Sequence, residues 1–172
     1  MLQYHYLSPC GWLVLGSLSG KLCVCDWLDS SHRRQVDIRV AKKLGRKFET
    51  GISPVIEQAI SQLDEYFAGK RQVFDVPIIL SGTPFQITVW RQLFGIPYGT
   101  TLTYADIAQR AGFPNSVRAV ANAIGANGLS LFVPCHRVVA SDGSIGGYAG
   151  GIDAKRTLLH LEAAATKMTE ET

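Results

Sequence analysis

The chain has 172 residues, 47% of them hydrophobic and 18% charged, which is ample for a packed core and excludes global disorder. Seventeen Lys and Arg against 14 Asp and Glu give a net charge of +3, so composition alone does not announce a nucleic-acid partner. No apolar run approaches the roughly 18 residues of a membrane span, and the start, Met1-Leu2-Gln3-Tyr4, lacks the basic region of a secretory signal.

In chain order, Tyr4–Leu7, Trp12–Leu18 and Lys21–Leu28 read as strands, with Ser19-Gly20 as a tight hairpin turn. Cys23 and Cys25 lie two apart in the third strand and are expected on one face. With Cys10 and His5 or His32 they could in principle bind zinc. The C-x-C spacing is not that of structural zinc sites, however, and the histidines form no spaced pair, so packing as small hydrophobes is the favoured reading. The basic stretch from His32 to Lys47 is expected to be helical in part. A solvated helix face is favoured there over a DNA patch. Pro54 opens a helix with Val55, Ile56, Ala59, Ile60, Leu63 and Phe67 on one side, closed by Gly69. Val73–Leu80 reads as extended. Ser81-Gly82 then divides an N-terminal α/β domain, residues 1–82, from a mainly α C-terminal domain, residues 83–172.

The second half opens on a capping box, Thr83-Pro84-Phe85-Gln86, leading into Val89, Trp90, Leu93 and Phe94. Thr103 caps a short helix, Tyr104–Ala111, stopped by Gly112, and Pro114-Asn115 initiates another over Ser116–Ala126. Such a pair resembles a helix-turn-helix. In its second helix Val117, Val120, Ala121 and Ile124 form the expected core stripe. The other face, Ala119, Asn122, Ala123 and Ala126, carries no charge, with Arg118 on its flank. That face fits either packing against protein or close approach to a nucleic-acid groove. Charge does not decide, because residues 84–172 hold seven Lys and Arg against six Asp and Glu. The last ten residues, 163–172, read as a frayed tail.

Val133-Pro134-Cys135-His136-Arg137-Val138 is the sharpest chemical feature. A thiolate is the reactive form of cysteine, and a histidine base oriented by a carboxylate generates it at neutral pH. Adjacent residues cooperate only if the chain turns at this point. Glu162, Asp153 and Asp142 are the candidate orienting acids. The segment Asp142–Gly151, rich in glycine around Tyr148, lacks the Gly-Lys-Ser/Thr ending of a phosphate loop and suits a wall that approaches a flat ligand.

Pro134-Cys135-His136-Arg137-Val138, preceded by the helix pair and followed by Gly147-Tyr148-Ala149-Gly150-Gly151, resembles the O6-alkylguanine-DNA alkyltransferases. The resemblance runs from about Thr83 to Glu162. The first half matches only in outline, through Ser8-Pro9-Cys10-Gly11 and Tyr66-Phe67-Ala68-Gly69. It implies a ribonuclease-H-like N-terminal domain and a winged-helix-like helix-turn-helix. It also implies a single, irreversible transfer of an alkyl group from O6 of guanine, or O4 of thymine, to Cys135. His136 would act as base through a water and Glu162 would orient it, while Tyr104 would help rotate the nucleotide and donate a proton. Arg118 would fill the vacated stack, with Ala119, Asn122 and Ala126 against the minor groove and Asn127 as hinge. Backbone at Cys135, Val138 and Ala149, with the ring of Tyr148, would line the base pocket; Ala149 stands where some relatives have serine. The implied partner is double-stranded DNA, with no cofactor, metal or membrane, for a cytoplasmic monomer that is nucleoid-associated if bacterial. A helix-turn-helix binder without catalysis and a Cys-His hydrolase are the competing readings.

Overall fold

The hairpin signals of the first half close a small mixed sheet. The computed structural model describes residues 1–170. Strands β1 (Leu2–Ser8), β2 (Gly11–Leu18) and β3 (Lys21–Trp27) pair antiparallel, and a two-residue β4 (Glu49–Thr50) joins β1 in parallel, giving the order β3-β2-β1-β4. Ser19 and Gly20 both take positive φ, 49° and 75°, as the twist of a two-residue hairpin turn demands. Helix α1 (Arg33–Leu44) ends on Gly45 in the left-handed conformation. Helix α2 (Pro54–Phe67) starts on Ser53, whose hydroxyl accepts from the Ile56 amide, with Pro54 at the first helical position.

The register of β2 on β3 shifts at Gly16/Ser17, leaving Cys23 unpaired in a bulge. A bulge resets the alternation of side chains, which corrects the expectation that Cys23 and Cys25 share a face. Cys25 joins the main core with Leu22 and α2, whereas Cys23 packs with Val24 against Val36 and Val40 of α1. The two helices thereby cover different parts of the sheet. The α2 stripe is also wider than its aliphatic pattern: Gln62 and Tyr66 are buried with Val55, Ile56, Ala59 and Leu63, while Ile60 and Phe67 are only partly covered. Residues 73–80 run beside β3 without forming a strand. The Leu22 amide bonds the Pro77 carbonyl and the Ile79 amide bonds the Leu22 carbonyl, both at 2.8 Å.

In the second half both capping signals are realised. Thr83 and Gln86 form a capping box at the start of α3 (Pro84–Leu93), and Thr103 and Asp106 form one at α4 (Tyr104–Arg110). Helix α5 (Val117–Gly125) follows the turn around Gly112, and the three helices pack on one another. A parallel pair, β5 (Leu102–Thr103) with β6 (Val138–Val139), lies beside α4. The long α6 (Ile152–Glu170) corrects the frayed tail expected from Ala163: the helix runs on, through an alanine-rich stretch of high helix propensity, and Leu161 and Ala164 line a groove with Phe67. Residues 171 and 172 of that expected tail lie outside the described residues. Six α-helices are present among the described residues, and none is long and apolar enough to cross a membrane.

Residues 128–133 dock the second half onto the first. The Cys25 amide bonds the Gly128 carbonyl at 2.9 Å and the Ser130 amide bonds the Cys25 carbonyl at 2.7 Å, so this segment continues the edge of β3. Leu131 within it is buried at φ 72°, a conformation that costs a branched residue roughly 1–2 kcal/mol and persists because the surrounding core fixes it.

Candidate active site

Cys135, His136 and Arg137 form one turn of 3₁₀-helix between the docking segment and β6. That turn satisfies the condition the sequence imposed, since neighbours in an extended chain would point apart. All three side chains are buried. Asn127, just beyond α5, holds the thiol: its Nδ2 donates to Cys135 Sγ at 3.2 Å and to the Val133 carbonyl at 3.0 Å, while its Oδ1 accepts from the Leu129 amide. Burial pushes the Cys135 thiol up, against the Asn127 bond and the Lys155 charge, which pull the other way. The resting group is therefore a thiol, and a base has to remove its proton.

His136 can serve. Its Nε2 lies 2.6 Å from Glu162 Oε1, and its Nδ1 is buried without a protein partner among the described residues. Burial holds the imidazole below its ordinary pKa, outweighing the Glu162 bond that favours the charged form, so the ring is neutral near pH 7. With the proton on the nitrogen facing Glu162, the lone pair resides on Nδ1.

Of the candidate acids, only Glu162 enters the site. Asp153 pairs with exposed Arg156, and Asp142 bonds the Ser144 amide in an exposed turn. Glu162 is completely buried and accepts from four residues: His136, Arg137 through Nε and Nη2 at 2.9 and 3.0 Å, Tyr66 through its hydroxyl at 2.8 Å, and the Gly99 amide at 3.1 Å. Burial alone would raise this carboxyl. The His136 and Arg137 bonds overcome it and hold the pKa at about 2. Arg137 is itself fixed by the Ile96 carbonyl at 2.8 Å and lies over the Tyr98 ring, which gives the segment Ile96-Pro97-Tyr98-Gly99 a role in the site.

A cavity of about 330 Å³ opens on Cys135. Tyr104, Asn127, Gly147, Tyr148 and Ala149 line it, together with Ala121, Ile124 and Gly125 of α5. Burial raises the pKa of the Tyr104 hydroxyl, with Cys135 adding to the effect, so it remains a proton donor. Two glycines of the wall have steric reasons. A Cβ on Gly146 would lie 2.9 Å from the Tyr104 hydroxyl, and one on Gly150 would lie 2.5 Å from the Trp27 indole. Tyr148 meets Trp27 edge-on, with ring centroids 5.9 Å apart. Val138 is not among the residues lining the cavity; it is fully buried, and its carbonyl accepts from Lys155 Nζ at 2.6 Å.

Helix α5 presents Arg118, Ala119, Asn122 and Gly125 to solvent, with Ala126 half-buried. Ala123 moves from the expected open face to the core, and Ala121 from the core to the cavity wall. Trp90 of α3 packs from that side and donates its Nε1–H to the Ala123 carbonyl at 2.8 Å, so the buried stripe is rotated round the helix. The charge-free face leads directly into the cavity.

Several site residues went unassigned in the sequence. Lys155 is completely buried, bonds the carbonyls of Val138 and Gly147, and has its pKa lowered to about 8 by burial, with Cys135 opposing. Its signal was present: Lys155, Leu158 and Glu162 occupy core spacing on α6, where a lysine belongs only with a purpose. Tyr66 lies in Tyr66-Phe67-Ala68-Gly69, in the half of the chain where the resemblance holds only in outline, and reaches Glu162 from there. Ser31 and His32, from the loop before α1, also line the cavity, and no local pattern marks them.

Residues 84–164 match the family model of the 6-O-methylguanine DNA methyltransferase DNA-binding domain. The chain is similar to the methylated-DNA–protein-cysteine methyltransferase of Mycobacterium leprae, 39% identical over 155 residues, covering 90% of this chain and 88% of that one. The protein of the same description from Mycobacterium tuberculosis is 50% identical over 104 residues, 60% of this chain, and the match spans only 63% of that relative's length. In three dimensions the chain resembles Mycobacterium tuberculosis OGT, solved in complex with DNA, with a TM-score of 0.82 at 36% identity over 96% of this chain and 94% of that one.

Proposed function

The chain belongs to the methylated-DNA–protein-cysteine methyltransferase family, and from that premise we propose that it repairs DNA by direct reversal, moving an alkyl group from O6 of guanine to Cys135. The observation that carries this reading is the cavity that joins a buried Cys-His-Glu constellation to the charge-free face of α5. At about 330 Å³ it suits one flat base rather than a duplex.

In this reading the helix pair binds the minor groove, with Ala119, Asn122 and Ala126 against it. Arg118 enters the stack that the damaged nucleotide leaves, offsetting the few kcal/mol that extrusion costs. The base then lies among Tyr148, Ala149 and Tyr104. His136 Nδ1 takes the thiol proton through a water, and the sulfur attacks the alkyl carbon. The S–C bond forms as the C–O6 bond breaks, and its electron pair passes into the guanine, which gains a proton from Tyr104. Returning the proton from His136 to Tyr104 balances the step. Asn127 and Lys155 stabilise the developing thiolate; Glu162 keeps His136 oriented through Nε2. The thioether is inert, and the displacement needs no cofactor or metal, so each molecule reacts once. O4-alkylthymine is a second substrate of the same chemistry.

The architecture is read in the same terms. Residues 1–82 form a ribonuclease-H-like domain and residues 83–172 a winged-helix-like one, a reading supported by the flanked sheet and by the β5–β6 pair beside α4. The protein acts as a monomer in the cytoplasm, on the nucleoid in a bacterial cell. Duplex DNA carrying labelled O6-methylguanine, mixed at excess, should transfer a single burst of one label per chain. Continued turnover would contradict the reading and favour a hydrolase.

A further inference from the structure

The net charge of +3 is concentrated in one place. Residues 33–47 hold seven of the 17 Lys and Arg and one of the 14 carboxylates, Asp37, so the rest of the chain carries ten cations against thirteen carboxylates and is net negative. Duplex DNA presents one phosphate charge per about 1.7 Å of axis, yet α5 offers it Arg118 alone. Exposed Arg110 on α4 and Arg91 on α3 add two cations, and the densest set lies elsewhere, on α1 and the turn after it.

Two of the seven are engaged within the protein. Arg33 pairs with Asp26 and Asp37, and Arg39 bonds the Ser81 and Ala126 carbonyls. The other five, Arg34, Lys42, Lys43, Arg46 and Lys47, are exposed, and their side chains have no partner among the described residues. Arg34 and Lys42 lie on the outward stripe of α1, opposite buried Val36 and Val40. The first turn of α1 also lacks the carboxylate that the positive end of a helix favours. Uncompensated cations at this density repel one another and gain from an external polyanion.

Their placement is tied to the site. Immediately before α1, Ser31 and His32 line the cavity with Cys135, so the helix begins at the cavity wall. In its middle, Arg39 Nη2 donates at 2.7 Å to the Ala126 carbonyl, at the end of the helix whose open face leads into that cavity. Helix α1 is therefore held in fixed relation to α5, and its 12 residues extend about 18 Å, roughly the length of five base pairs.

We propose that the outer face of α1 and the following turn form a second DNA-contact surface, which holds phosphates of the duplex flank beyond the nucleotide that enters the cavity. The inference rests on the proposed alkyltransferase reading and adds to it a source of affinity outside the helix pair. A phosphate surface of this kind is independent of sequence and sensitive to salt.

The test measures binding of O6-methylguanine duplexes by fluorescence anisotropy across a salt series. It compares Lys42→Gln/Lys43→Gln with a control that removes two exposed cations elsewhere, Lys70→Gln/Lys167→Gln. Each lost phosphate contact lowers the slope of log K against log[salt] by about 0.9. The α1 variant should lose between one and two such increments and bind roughly tenfold more weakly near 0.1 M salt; the control should match the wild type. Shortening one flank by about five pairs should weaken the wild type more than the α1 variant, which keeps Arg34, Arg46 and Lys47. Reaction of both variants with free O6-benzylguanine, which needs no duplex, should equal the wild-type rate and so report an intact fold. Equal slopes for the α1 variant and the control would overturn the inference while leaving the alkyltransferase reading in place. Failure of the wild type to react with O6-benzylguanine or methylated duplex would overturn that reading instead, and the inference with it.

Discussion

Behind Cys135, Glu162 accepts hydrogen bonds from four residues; in front of it, α5 presents a face whose one charge is Arg118. The back of the site is made of buried charge, Glu162 against Arg137 and beside His136, with the neutral Tyr66 hydroxyl reaching in from the first half of the chain. The front is made of alanine, glycine, Asn122 and one exposed arginine, on a helix whose other side packs against α3 and α4. The difference separates two requirements: proton transfer needs groups held in place away from water, and admission of a base needs surfaces that let another molecule close in. Substitutions behind the thiol should therefore cost stability and rate together. Those on the open face of α5 should cost rate on DNA while the fold survives, and those in the glycine wall should cost an intermediate amount of stability.

Glu162→Gln presses hardest on this contrast. It leaves Arg137 buried without its counter-charge, for which a loss of about 3–5 kcal/mol is expected, and it frees the His136 ring, for a fall of roughly 10²–10⁴-fold in the single-turnover rate. Urea unfolding and rapid-quench alkyl transfer measure the two. In the wild type the Glu162 contribution is fully present above pH 4.5 and is lost as pH falls toward about 2, because the folded carboxyl holds on to its charge where the unfolded one has lost it.

Lys155 shifts stability in the same direction with pH for the opposite reason, because burial penalises its charged form. Its folded pKa is about 8 against 10.5 for the free side chain, so between those values the unfolded chain binds a proton that the native state releases. Stability from this residue rises with pH across that window, by roughly 3 kcal/mol when complete. The difference in unfolding free energy between wild type and Lys155→Met, taken at pH 7.5 and pH 10, should show that rise. A pH-independent difference would mean that the lysine is no more desolvated than a surface one.

At the front, Gly150→Ala drives a methyl group into the Trp27 indole and should cost about 1–3 kcal/mol, recovered in part by Trp27→Leu. Full stability in the single variant would show that the glycine wall yields freely. Arg118→Ala is expected to have the smallest effect on the fold, none measurable, while slowing repair of duplex DNA about tenfold, some 1.4 kcal/mol. Its reaction with free O6-benzylguanine should be unchanged. Equal slowing of both substrates would move Arg118 out of the nucleotide-extruding role.

What the sequence disclosed follows from the range of the forces involved. Capping boxes at Thr83 and Thr103 and the turn at Ser19-Gly20 are fixed by residues a few positions apart, and each is found where its local chemistry puts it. The Cys135-His136-Arg137 motif is equally local. Tyr66 reaches Glu162 across 96 positions, and the bulge at Cys23 depends on how β2 and β3 settle against two helices, so neither carries a local signature. Ala121 and Ala123 were exchanged because small side chains fit core and cavity wall equally well, and the decisive contact is made by Trp90 from another helix. Lys155 and Glu162 lie between these cases: charged residues sit at core spacing on α6, and the resemblance pairs Glu162 with His136, but Arg137, Tyr66 and Gly99 as further partners of Glu162 have no local signal.

The central claim is that one sulfur atom accepts the alkyl group. Peptide mass spectrometry after incubation with O6-methylguanine duplex tests it most directly. The account predicts a single methyl increment, confined to the peptide bearing Cys135 and complete after one equivalent of DNA, with Cys10, Cys23 and Cys25 unmodified. Methyl on another cysteine, or repaired DNA with an unmodified protein, would contradict it.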